Sequence, residues 1–181
     1  GNADAALAAA AKTLEAEYHS PYLNHATLEP QTCTAWFRSD GFLEVWTSTQ
    51  NGEASMAAAA EASGLPLEKI EVHKMMLGGG FGRRGGPQDF VSQGVKIARA
   101  LPGVPVKLMW SREEDMQHGF YRPASVVRMK AGLDARGNLV AMHTRIACPS
   151  ILKTLLPQAL GKDGVDFTSV RTLNDMPYQV P

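Results

Sequence analysis

Six glycines, Gly78, Gly79, Gly80, Gly82, Gly85 and Gly86, surround Phe81 and the pair Arg83-Arg84 in the stretch "MMLGGGFGRRGGPQDF". Without Cβ atoms, such a run lets several backbone N–H groups converge on one anionic or electron-rich group, with Phe81 held by its backbone at the point of closest approach. Gly80, Gly82 and Gly85 also match G-x-G-x-x-G, the turn that seats a dinucleotide. That turn requires a strand buried on both faces before it and a helix that opens inside it. The preceding "EVHKMM" instead carries Glu71, His73 and Lys74, and Gly85-Gly86-Pro87 delays the next helix. The glycines therefore read as an anion nest or, more plainly, as a flexible turn. The phosphate-loop pattern G-x-x-x-x-G-K-[ST] is absent.

Other residues offer chemistry one at a time. Gln50, in "WTSTQNG", sits where a strand hands over to a helix, a junction that points side chains into clefts. It is placed to donate a hydrogen bond to a ligand, or simply to serve the turn. His25 and Glu29 in "HATLEP" pair an imidazole with a carboxylate, but Pro30 argues for a loop rather than a metal-binding helix. The five histidines form no H-x-x-x-H pair. Arg122, in "FYRP", stands beside two aromatics, ready for stacking, an ion pair or a ligand. Arg83 and Arg84 are candidate phosphate anchors, although paired arginines are usually a solvated surface. No hydrolase nucleophile motif is visible.

Local signals place these residues on elements. The start, "ADAALAAAAKTLEAEY", predicts an N-terminal helix within residues 1–17, turning extended near Tyr18. Two runs rich in Thr, Val, Phe and Trp flank Ser39-Asp40-Gly41 and predict a β-hairpin. Asn51 caps a helix through about Ala62, with Glu53 in its first turn and Gly64 and Pro66 ending it. "KIEVHKMM" and "VPVKLMW" read as strands, and between them a helix after Pro87 carries Val91, Gly94, Ala98 and Leu101 on one face. Ser111 and Glu114 have capping-box spacing. "ASVVRMKAGL" and "NLVAMHTRIA" form a second hairpin around Asp134-Ala135-Arg136-Gly137. The fold class expected is α+β: a mixed sheet of two hairpins and additional strands, with two main helices packed on it. Residues 1–181 are expected to form a single domain, with 157–181 a connection to something further.

Composition narrows the function. Lys and Arg number 18 and Asp and Glu 18, so zero net charge gives no electrostatic case for a nucleic-acid or anionic-membrane surface. Cys33 and Cys148 stand far apart with no C-x-x-C, which argues against a zinc module or an iron–sulfur cluster within this chain. No apolar run is long enough for a transmembrane segment. The chain opens on Gly1 with no signal peptide, which reads as an excised piece and leaves bacterial periplasm and cytoplasm equally open.

In order, "HATLEP", "TSTQN", "KMMLGGGFGRR", "PVKLMWSREEDM" and "FYRPA" resemble the molybdenum-cofactor-binding part of the xanthine dehydrogenase and aldehyde oxidase family. The likeness runs from about Tyr18 to Ile151 and is greatest to the large subunit of the isoquinoline 1-oxidoreductase type, which includes related aldehyde dehydrogenases. It implies that Gln50 matches the glutamine that hydrogen-bonds an oxo ligand of molybdenum. Gly80, Phe81 and Gly82 match the segment whose backbone packs on the metal end of the pterin dithiolene. It further implies molybdopterin, in the cytosine dinucleotide form, and a separate small subunit carrying 2Fe-2S clusters. The implied reaction hydroxylates an N-heterocycle or oxidises an aldehyde with oxygen from water. Purine-oxidising relatives carry "GGGFGGKE"; here Arg83-Arg84 replaces Gly-Lys and Gly85 stands at the glutamate, which turns the expectation away from purines. The family's general-base glutamate falls beyond Pro181, so no catalytic residue and no direct metal ligand is assigned within the chain, and the piece alone is expected to be inactive. From another class, a stand-alone module holding an anion or dinucleotide on the G-x-G-x-x-G loop is the alternative.

Overall fold

The computed structural model describes residues 1–171, 173–178 and 180, and the fold is α+β. The chain folds as two compact units, named by their place along the sequence: an inner one of residues 24–121 and an outer one of residues 1–23 with 122–181.

The inner unit holds a four-stranded mixed sheet in the order β4-β3-β2-β5. Strands β2 (Thr32–Phe37) and β3 (Leu43–Thr47) form the hairpin predicted around Asp40-Gly41. Strand β4 (Ile70–Lys74) runs parallel to β3, and β5 (Val106–Met109) closes the other edge antiparallel to β2. Along β3 the period-two alternation buries Leu43, Val45 and Thr47 and leaves Glu44 and Trp46 on the other face, where Trp46 stacks on His73 of β4. A parallel β3–β4 pair needs a crossover, supplied by helix α2 (Gly52–Ser63). Asn51 caps it by accepting from the Ala54 N–H, and Gly64 leaves it in the left-handed conformation at φ 75°.

Helix α3 (Asp89–Arg99) lies against the same buried face with Phe90, Val91, Val95 and Ala98 inside. Burying each of the larger side chains contributes about 1.5–3 kcal/mol. Gly94 is required for contact: a Cβ there would come within 3.0 Å of Cys33 Sγ. Leu101, expected on this face, lies past the end of the helix and is half exposed. Helix α4 (Arg112–His118) opens with the capping box expected at Ser111 and Glu114. Burial pushes the Cys33 thiol up to about 12. Iodoacetamide at mildly alkaline pH is therefore expected to alkylate the half-buried Cys148 and to spare Cys33 until denaturant is added, read by mass spectrometry.

The outer unit holds a separate three-stranded antiparallel sheet in the order β1-β6-β7. The second predicted hairpin is there, as β6 (Ser125–Leu133) and β7 (Leu139–Ala147), rather than in one sheet with the first. The N-terminal helix expected within 1–17 is corrected: α1 covers only Ala3–Ala9, and β1 follows as Lys12–Ser20. The reason is a period-two alternation of Leu14, Ala16 and Tyr18 with Glu15, Glu17 and His19. It sets Glu15 opposite Lys130 at 3.2 Å and Glu17 opposite Arg128 at 2.6 Å across the β1–β6 ladder. Within 157–181, expected as a connection, a 3-10 turn covers Pro157–Ala159 and α6 covers Phe167–Val170, after α5 at Ile151–Leu155; Thr172, Gln179 and Pro181 lie outside the described residues. No helix among the described residues is long and apolar enough to cross a membrane.

Candidate functional site

Gln50 emerges from the buried run Thr47-Ser48-Thr49, in the turn between β3 and α2, and is itself exposed. The glycine loop after β4 folds back over this turn. Gln50 Oε1 accepts from the Gly82 N–H at 3.0 Å and the Arg84 N–H at 3.3 Å, and the Gln50 N–H donates to the Arg84 carbonyl at 3.1 Å. Two N–H donors on one amide oxygen orient the side chain, leaving the Gln50 Nε2 group with no protein acceptor among the described residues.

Two glycines of the loop are explained by what they seat. A Cβ on Gly80 would overlap Gln50 Oε1, and a Cβ on Gly78 would overlap Glu29 Cβ. At Gly80 the movable end of Gln50 would have to give way, whereas Glu29 Cβ is fixed to its backbone, so at Gly78 the loop itself would have to move. Between and beyond them the backbone takes positive φ at Gly79 (100°), Phe81 (53°) and Gly82 (104°). For Phe81 this is a left-handed conformation that a non-glycine residue adopts only when its surroundings enforce it. Phe81 is 65% exposed. The N–H groups of Gly79 and Gly80 meet no acceptor among the described residues. The loop does not lead straight into a helix; α3 starts at Asp89, after Gly85-Gly86-Pro87.

Arg83 and Arg84, for which the sequence left a phosphate anchor and a solvated surface both open, are both buried, at 3% and 0% exposure. The Arg84 guanidinium donates to Glu29 Oε2 at 2.8 Å and to the carbonyls of Ser48, Glu29 and Pro30 at 3.0, 2.7 and 3.1 Å. Burial pulls its pKa below the usual guanidinium value and the Glu29 carboxylate opposes that. Glu29 in turn accepts from the Gly78 N–H at 3.1 Å, and Ser48 Oγ lies 3.1 Å from its other oxygen. Arg83 pairs with Asp89 at 2.9 Å and lies over the rings of Phe120, Trp110 and Phe90. Each arginine keeps a buried Nε without a partner among the described residues.

Beneath the loop is a layer of neutral polar groups. Ser55 Oγ donates to Gln88 Oε1 at 2.9 Å, Gln88 Nε2 donates to the Arg84 carbonyl at 2.9 Å, and Thr49 Oγ1 lies 3.2 Å from the same carbonyl. Asn51 Nδ2 adds a bond to the Gly85 carbonyl at 3.3 Å.

The structure thus brings together Gln50, Gly80, Phe81 and Gly82, the positions singled out in the sequence, within this inner unit. His25 and Glu29 are not a metal pair: His25 Nδ1 lies 3.0 Å from the Phe120 carbonyl, while Glu29 faces Arg84. Arg122 is exposed and exchanges backbone hydrogen bonds with Leu23. Among the described residues no cluster of His, Cys, Asp or Glu could hold a metal ion. Sequence reasoning missed the Glu29–Arg84 pair. The available signal was the neutral polar surroundings of the arginine, "TST" upstream and Gln88 downstream, which suit a buried cation.

Residues 1–150 match the family described as molybdopterin cofactor-binding domain, and the chain belongs to that family. Over 143 residues it is 34% identical to the "isoquinoline 1-oxidoreductase subunit beta" of Brevundimonas diminuta, covering 78% of this chain and 18% of that protein. It is 33% identical over 144 residues to a "membrane-bound aldehyde dehydrogenase" of Gluconacetobacter polyoxogenes whose name also carries pyrroloquinoline-quinone, with 80% and 18% covered. The fold matches the aldehyde oxidoreductase of Desulfovibrio gigas at a TM-score of 0.67 and 21% identity, over 82% of this chain and 16% of that one. The chain therefore spans about a fifth of the length of the curated relatives it matches.

Proposed function

We propose that this chain forms one wall of the molybdopterin site in the large subunit of a molybdenum hydroxylase. The observation that carries the reading is the Gln50 side chain, oriented through its oxygen by the Gly82 and Arg84 N–H groups so that its NH2 is left to donate. The residues present fit an anionic, oxygen-rich group at this face. The donors are neutral amides, and among the described residues the carboxylates bonded to the loop are neutralised, Glu29 by Arg84, with a further bond from the Gly78 N–H, and Asp89 by Arg83. When bound, the cofactor supplies a two-electron redox centre. Gln50 holds and orients it by hydrogen bonding, Gly80 and Gly82 let the backbone come close without Cβ atoms in the way, and Phe81 presents its ring to exclude water.

Finer assignments follow the same reading. The cofactor is the cytosine dinucleotide form of molybdopterin, electrons leave through a small subunit with 2Fe-2S clusters, and the substrate is an N-heterocycle or an aldehyde rather than a purine. The 181 residues alone are inactive, because at the loop, among the described residues, Glu29 is engaged as described and Asp89 is paired with Arg83.

The test is to purify the intact protein that contains this chain from cells supplied with molybdate. Molybdenum and pterin per subunit are measured, and dye reduction is assayed with N-heterocycles and aldehydes. The expected result is a molybdenum-loaded protein active on one of these classes, and no turnover by residues 1–181 with cofactor added. Intact protein devoid of both molybdenum and pterin sinks the reading. In the same protein Gly80→Ala is expected to displace Gln50 and lower kcat per bound molybdenum on the order of tenfold. The unfolding midpoint should barely move, since the added methyl meets only the movable end of a side chain.

A further inference from the structure

Residue 84 acts at both ends. Its N–H holds Gln50 Oε1, while its guanidinium holds Glu29, whose carboxylate holds the Gly78 N–H at the start of the loop. The Gly82 N–H then returns to Gln50 Oε1, so hydrogen bonds and backbone close a ring through Gln50, Arg84, Glu29, Gly78 and Gly82. Three stretches far apart in sequence, "HATLEP", "TSTQN" and "GGGFGRR", are joined by that ring. Ser48 ties it to β3: its hydroxyl lies 3.1 Å from Glu29 Oε1 and 2.9 Å from the Met76 carbonyl.

We propose that Glu29 and Arg84 are positioning residues for the Gln50 amide. This rests on the cofactor reading above, and assigns to the pair the task of setting where the Gly78–Gly82 backbone and the Gln50 NH2 stand relative to one another. A pair with a purely structural task needs only to fill the interior. This one is bonded at both ends to groups of the candidate site, and a Cβ at Gly78 or at Gly80 would overlap Glu29 Cβ or Gln50 Oε1.

Two variants of the intact holoenzyme separate positioning from folding. Glu29→Gln keeps the shape and an acceptor for Arg84 and Gly78 but removes the charge. Gly78→Ala leaves the ion pair in place and pushes the loop off Glu29. Each is compared with wild type in unfolding midpoint, in molybdenum and pterin per subunit, and in kcat and KM per bound molybdenum. For both variants we expect kcat per molybdenum to fall about tenfold with KM changed less than about twofold. The midpoint is expected to fall by less than in Arg84→Met while unfolding stays cooperative, and pterin retention during gel filtration to fall. Variants that lose cofactor only in proportion to their folded fraction, with normal kcat per molybdenum, overturn the proposal and leave a structural ion pair. Variants indistinguishable from wild type overturn it as well. Wild-type protein lacking molybdenum and pterin overturns the cofactor reading itself, and the positioning role with it.

Discussion

On the proposed cofactor reading, Gln50→Glu in the intact protein is expected to lower kcat per bound molybdenum by on the order of 1,000-fold, while the protein folds as before. The substitution is nearly isosteric, and one carboxylate oxygen still accepts from the Gly82 and Arg84 N–H groups that now hold Oε1. What changes is the group left over. A donating NH2 becomes a second oxygen that only accepts and carries charge toward an anionic ligand. Loss of one preorganised donor at a charge-bearing centre costs about 100- to 1,000-fold in comparable sites, and the added repulsion places the effect at the upper end. Stopped-flow reduction by substrate, normalised to molybdenum content, measures it. Wild-type rates in this variant would show that Gln50 faces away from the reacting centre.

The largest expected loss of stability belongs to Arg84→Met. The guanidinium is fully buried and its bonds join the Glu29 carboxylate with three main-chain carbonyls. Methionine fills most of the volume but leaves the carbonyls of Ser48 and Pro30 without this donor, and Glu29 without its cation. A cost of about 3 kcal/mol is expected, the low end for breaking a buried pair, because Glu29 is partly exposed and keeps its bonds to Gly78 and Ser48. Urea unfolding of the 181-residue chain would register it as a lower midpoint at constant slope. The contrast with Arg83→Met is informative. Arg83 spreads its contacts over three rings, one carboxylate and the Pro87 carbonyl, so methionine there keeps much of the packing.

What was legible in the sequence was what neighbouring residues decide. The Asp40-Gly41 turn, the Asn51 cap, the Gly64 stop and the Ser111–Glu114 box each involve partners within a few positions, and each is found as expected. Gln50 was legible as a junction residue for the same reason. The β1–β6 ladder was not, because it joins Lys12–Ser20 to a strand more than a hundred residues later. The alanines before it masked the alternation of Leu14, Ala16 and Tyr18. Arg84 illustrates the general difficulty. Its burial depends on Glu29, 55 residues away, and on three carbonyls, which have no side-chain signature at all. A cation with no partner visible in the sequence was therefore left open between a phosphate anchor and a solvated surface residue. The site itself was assembled from the order of short motifs, since Gly80 and Gly78 show their purpose only once Gln50 and Glu29 stand against them.

The layer of Thr49, Ser55 and Gln88 under the loop is built from hydroxyls and one amide. None of these groups gains or loses a proton in the range where carboxylates and imidazoles titrate, so their donor and acceptor roles are the same in acid and in mild alkali. That layer is thus insensitive to proton concentration, and any pH profile measured on the intact protein reports on groups outside it.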